Sequence, residues 1–212
     1  MRAGRMLAGA VVFLMAGTAP GFAATKGVLK NEKVVVDEVT LTPGERETVA
    51  GNHASVVVYL DGDDAEITFA GGPAQRETVK RGDTVNEPAG AATLTNTGRL
   101  TLRLVRVEFL TADSGETWGR TGLAPNYTVL FEDRHSRTYD IRIAAHAWEP
   151  EHTHRDRVVV CLRGARLEHV LPDGSKQAST LMTDEVVWRP GQTHKGHNLG
   201  DTDLWVIAIE PK

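Results

Sequence analysis

The sequence predicts an all-β chain of two tandem barrel-like halves, and three observations predict it. Short runs rich in β-branched residues recur at close spacing. Turn clusters of Gly, Pro and Asp separate them. The second half repeats the first at a constant offset of 102 residues. Beyond the N-terminal segment no stretch carries the 3.6-residue apolar period of an amphipathic helix.

Residues 1–23 stand apart from this pattern. Arg2 and Arg5 precede an apolar run from Met6 to Gly17, and Gly21-Phe22-Ala23 then places small residues where a signal peptidase reads. That order reads as a secretory signal peptide, and twelve apolar residues are too few to span a bilayer. The expected mature chain begins near Ala24 and is periplasmic or secreted. No Cys follows the apolar run, which argues against a lipid anchor there. Cys161 is the only cysteine and lies in the apolar run Val158 to Leu162, so no intrachain disulfide forms and a buried, inert thiol is expected. Loss of residues 1–23 removes two Arg and no acid, taking the net charge from −4 to −6. A mildly acidic chain without clustered Lys/Arg carries no electrostatic footprint for nucleic acid. No later segment is apolar for long enough to cross a membrane.

Strand candidates follow in order. In the first half they are Val34 to Val36, Val56 to Leu60, Ala65 to Phe69 and Leu100 to Leu110. Pro43-Gly44, Asp61-Gly62-Asp63 and Gly71-Gly72-Pro73 provide the turns. In the second half they are Tyr139 to Ile143, Val158 to Leu162, Arg166 to Leu171, Val186 to Trp188 and Leu204 to Ile209, with a hairpin turn at Pro172-Asp173-Gly174-Ser175. The polar stretch 113–126 reads as a connector between units at 28–112 and 127–212, and Tyr127 to Glu132 as a strand entering the second.

Residues 37–108 laid over 139–210 share 16 identities in 72 positions, where chance gives about four. Val56-Val57-Val58 lies over Val158-Val159-Val160, and Gly62, Pro88, Asn96 and Gly98 lie over Gly164, Pro190, Asn198 and Gly200. These are positions that a shared backbone demands, so the sequence reads as an internal duplication.

The histidines are not duplicated. Seven of eight follow the connector (His135, His146, His152, His154, His169, His194 and His197), and only His53 precedes it. In an extended segment His152 and His154 point to one face, where two imidazoles can chelate a metal. His194, on a turn after the Val186 strand, can be brought over the pair. A His-x-His pair alone also fits a solvated surface strand. At offset 102 the first half has Ala50, Asn52 and Ala92 at the three positions, which predicts one metal per chain and none at His53.

The ordering of His152-x-His154, an apolar strand, Gly164, and then Pro190, His194, Asn198 and Gly200 resembles the cupin superfamily. Its first motif is Gly, His-x-His, Glu and Gly, and its second is Gly, Pro, His and Asn. The resemblance covers residues 28–212 and implies a bicupin, two double-stranded β-helix (jelly-roll) barrels. It further implies that His152, His154 and His194 hold one divalent ion, Fe, Mn or Zn. The usual Glu position holds Arg157, which cannot ligate. Asp156, in phase with the pair if the strand continues, is the candidate fourth ligand, with water or a plain loop carboxylate as alternatives. His197 is expected at the rim, and Trp148 and Trp188 either wall a substrate cavity or pack in the core. Asn198, matched by Asn96, is expected to serve its turn. The resemblance covers dioxygenases and isomerases acting on small molecules, and implies pairing of copies through sheet edges. A binding module without chemistry, or a metal-free structural bicupin, is the alternative.

Overall fold

The computed structural model describes residues 21–111 and 115–212, and every regular element among them is a strand. The signal-peptide segment falls almost wholly outside the described residues.

The first half contains β1 (Ala24–Lys30), β2 (Val34–Leu41), β3 (Arg46–Val49), β4 (Ser55–Asp61), β5 (Asp64–Phe69), β6 (Gln75–Thr78), β7 (Thr84–Glu87), β8 (Ala92–Asn96) and β9 (Leu102–Phe109). The second contains β10 (Thr128–Glu132), β11 (Ser136–Ile143), β12 (Trp148–His154), β13 (Arg157–Arg163), β14 (Ala165–Val170), β15 (Lys176–Leu181), β16 (Val186–Arg189), β17 (Gln192–Asn198) and β18 (Leu204–Pro211). Each half pairs a five-stranded with a four-stranded sheet. Their orders are β1-β2-β9-β4-β7 and β3-β8-β5-β6, then β10-β11-β18-β13-β16 and β12-β17-β14-β15. The second set is the first moved by nine elements. Register moves with it: Val34 pairs with Phe109 and Leu41 with Leu102, while Ser136 pairs with Pro211 and Ile143 with Leu204. Each pair differs from its counterpart by the 102 residues seen in the sequence.

The long apolar runs belong to strands buried on both faces. Val56, Val58 and Leu60 of β4 meet Val158, Val160 and Leu162 of β13 in one cluster between the two five-stranded sheets. The alternate residues Val57 and Tyr59 face the first barrel's interior, and Val159 and Cys161 the second's. Two buried faces explain why these strands read as unbroken apolar runs rather than alternating ones. Polar contacts add to the seam. Arg81 donates to the carbonyls of Leu60 and Leu162, and Asp184 pairs with both Arg81 and Arg103.

Asn96 and Asn198 hold equivalent corners. Asn96 Nδ2 donates to the carbonyls of Leu41 and Leu100 while its Oδ1 accepts from Gly98 N. Asn198 does the same with Ile143, Thr202 and Gly200. These asparagines serve their turns.

The described part of the connector is bound along the second barrel. Gly122 O accepts from Thr153 N at 2.7 Å, and Arg137 Nη1 donates to the carbonyls of Gly119 and Thr121. This path delivers Tyr127 to the barrel interior.

Candidate metal centre

His152 and His154 lie on β12 and His194 lies on β17, directly opposite His152 in the ladder. His194 is therefore a strand residue, not a turn residue as its position after Pro190 suggests. All three are buried, and one nitrogen from each lies within 4.8 Å of the others. The β12–β17 register slips between Glu149 and His152. That bulge changes the phase of the pleat, so Glu149 faces inward with His152 although the two are an odd number of positions apart. Gly196, opposite Glu149, has no room for a side chain, because a Cβ there would lie 2.5 Å from Glu149 Oε2.

Hydrogen bonding assigns the ring protons. His152 Nδ1 lies 2.8 Å from Pro150 O, which only accepts, so the proton sits on Nδ1 and Nε2 is bare. Tyr139 Oη donates to Glu210 Oε1 at 3.0 Å, and Glu210 is ion-paired with Arg137. The Tyr139 oxygen must then accept from His154 Nδ1 at 2.9 Å, which leaves His154 Nε2 bare as well. The two Nε2 atoms face each other at 3.0 Å. Burial, with Arg157 beside the rings, holds His154 well below the ordinary histidine range, and burial lowers His152 and brings His194 to about 3. Neutral rings with facing lone pairs repel unless a cation lies between them. A tetrahedral ion with bonds of about 2.0–2.1 Å separates its nitrogens by roughly 3.3 Å. The donor set therefore fits a divalent ion, and Pro150 O and Tyr139 fix the ring orientations as supporting groups do around bound metals.

A cavity of about 260 Å³ opens beside the rings. Ile141, Ile143, Leu204 and Val206 line it together with Arg157 and Arg189 of the same five-stranded sheet, and His169 lines it from the four-stranded sheet. His169 sits with its ring centre 4.3 Å from that of His194, although the sequence marks it only as a strand residue. Tyr127 reaches His152 Nε2 at 3.1 Å. Glu149 is a buried carboxyl that burial pushes up to about 7. In the sequence its one signal is identity with Glu47 at the repeat offset.

Asp156 is not brought to the cluster, and His197, Trp148 and Trp188 lie outside it. Strand β12 ends at His154, so Asp156 falls in a turn. Its carboxylate accepts from Gly191 N at 2.8 Å and from Lys33 of the first half at 3.2 Å. His197 lies three residues beyond His194 on a regular strand and faces away, stacked on exposed Trp148 with ring centres 4.0 Å apart. Trp148 is not among the residues that line the cavity beside the rings. Trp188 packs against the cluster between the sheets, which is the core alternative.

The first half has a different centre. Arg106 is buried and ion-paired with Glu47 and Glu87, and Ser55 Oγ donates to Glu87 at 3.0 Å. Only about 10 Å³ remains beside it, at the limit for one water.

No family model and no curated protein matches the sequence. Solved structures do match the fold. AerE from Microcystis aeruginosa gives a TM-score of 0.64 at 12% identity, over 90% of this chain and 98% of that one. A cupin 2 conserved barrel domain protein from Leptotrichia buccalis gives 0.60 at 12% identity, over 93% of each chain. Bacillus subtilis oxalate decarboxylase, which has Mn(II) centres, gives 0.61 at 13% identity, over 91% of this chain and 74% of that one. Strand order, register and these neighbours agree that the chain has the bicupin fold, two cupin barrels in tandem.

Proposed function

We propose that this is an exported bicupin that binds one divalent ion through His152, His154 and His194 and acts on a small molecule in the adjoining cavity. The observation that carries the reading is the pair of bare Nε2 atoms facing each other at 3.0 Å in a buried cluster. Imidazole donors suit Zn and Fe, and the manganese of oxalate decarboxylase makes Mn the third candidate. When bound, such an ion supplies Lewis acidity or a site for dioxygen. The chain's own groups then have plain roles. Tyr127, whose hydroxyl lies beside the His152 ring, hydrogen-bonds Glu149, the apolar wall excludes water, and Glu149, titrating near neutrality, takes up or releases a proton inside the cavity. These roles fit a dioxygenase or an isomerase.

Arg157 at the usual carboxylate position favours a second reading, a non-catalytic module for a metal or small ligand. Three neutral donors hold an ion less tightly than a set with a carboxylate.

Mass spectrometric metal analysis of untagged protein, purified without chelator, tests the centre. We expect one divalent ion per chain, lost in His194→Ala and retained in His53→Ala. Two ions, or retention without His194, would end this reading. Turnover of small carbonyl or polyol substrates, or dioxygen uptake, separates enzyme from module. N-terminal sequencing of the extracytoplasmic fraction tests export, with a start near Ala24 expected.

A further inference from the structure

The cavity holds two guanidinium groups that metal binding leaves unused. Arg157 is 7% exposed, its Nη1 donates to the carbonyls of Arg155 and Pro190 at 3.3 Å, and its Nε has no partner. Arg189 is its direct cross-strand neighbour and lines the same cavity. Among the described residues no carboxylate forms an ion pair with either. Like charges placed opposite each other on a sheet repel, and a buried cation without a counter-charge is costly.

The first half shows what satisfaction looks like at the same register. There the facing pair is Ser55 and Glu87, hydrogen-bonded together and closed by Arg106. In the second half Glu87 is replaced by Arg189 and Arg106 by Ala208. The acid is gone, the charge is reversed, and the internal arginine is absent. Ser179 Oγ, also lining the cavity, is buried without a partner and adds a third unused donor.

We propose that this cavity takes a small organic acid, with its carboxylate between Arg157 and Arg189 and its carbon skeleton on the apolar wall. That wall distinguishes an organic acid from an inorganic anion, which would leave Ile141, Ile143, Val159, Leu167, Leu204 and Val206 uncovered. About 260 Å³ limits the ligand to a few carbons, since drug-sized sites begin at roughly 300 Å³. The inference rests on the metal-centre reading only in placing the acid beside three metal-binding imidazoles.

Calorimetric titration of the full chain after chelator treatment tests it, with butyrate, its neutral isostere butyramide and inorganic phosphate as probes. Butyrate should bind at one site at least about tenfold more tightly than butyramide, as charge-assisted hydrogen bonds require. Phosphate should bind more weakly than butyrate. Arg157→Gln and Arg189→Gln should each lose about tenfold in butyrate affinity and leave butyramide unchanged. If Arg157→Gln does not fold by circular dichroism, Arg189→Gln, at a half-buried position, decides alone. Equal affinity for butyrate and butyramide, phosphate binding as tightly as butyrate, or butyrate binding indifferent to the folded variants would each overturn the proposal. Metal content of the untreated protein separates the two readings. Butyrate binding to a chain that never carries metal sustains this proposal and removes the other, and metal without butyrate binding does the reverse.

Discussion

Tyr139 shows how much one hydroxyl decides. It donates a hydrogen bond to Glu210 and accepts one from His154, so it sets which nitrogen of His154 faces the cluster. Burial, reinforced by Glu210, holds its phenol well above the usual tyrosine range, so the proton is present throughout the physiological span. Tyr139→Phe keeps the ring and its stacking on His154 but removes the acceptor. Metal affinity should fall about tenfold, the lower end for loss of such an orienting partner. Competition against a chelator of known affinity measures it, and an unchanged constant would show that His154 is oriented by packing alone.

At the scale of elements, the seam strands carry the stability. Leu60 is fully buried in the cluster that both five-stranded sheets share. Leu60→Ala should cost about 2–5 kcal/mol, the range for truncation of a buried leucine. Urea unfolding followed by ellipticity checks it, and a loss below 1 kcal/mol would show that the seam repacks. The same burial made β4 and β13 legible in the sequence, since a strand covered on both faces is written in apolar residues almost throughout. Strands β3 and β6 are short, polar and largely exposed, so nothing in their composition separates them from loops. The His-x-His pair was legible because alternation within β12 is regular from His152 onward. Glu149 was not, because the bulge that turns it inward is a property of the ladder. Asp156 failed for the complementary reason: the alternation that selected it stops where the strand stops. Tyr127 and Tyr139 reach the histidines from other segments, and only the closed barrel brings them there.

Across the whole molecule, the two halves are fastened by charge as well as by apolar contact. Asp184 of the second half is partly buried, which raises its pKa. Hydrogen bonds and charge from Arg81 and Arg103 of the first half outweigh this and bring it below the usual carboxylate value of 3.8. A carboxyl depressed in the folded state contributes stability above its unfolded pKa, and loses it as pH falls through the folded value. Asp184→Asn keeps a residue type that tolerates the observed φ of 68°. It should lower the melting temperature at pH 7, and the gap to the parent should close as the pH falls below about 4. Thermal melts from pH 7 to pH 2 test this, and a gap that does not depend on pH would remove the ionic contribution.

The arginine at the heart of the first barrel has a consequence for how the chain is completed. Arg106 puts a tethered cation between Glu47 and Glu87, so that half carries its own counter-charge within the chain. Its counterpart has alanine at the matching place and an open cavity of about 260 Å³. One chain thus holds two containers, one closed by its own arginine and the other with its interior open.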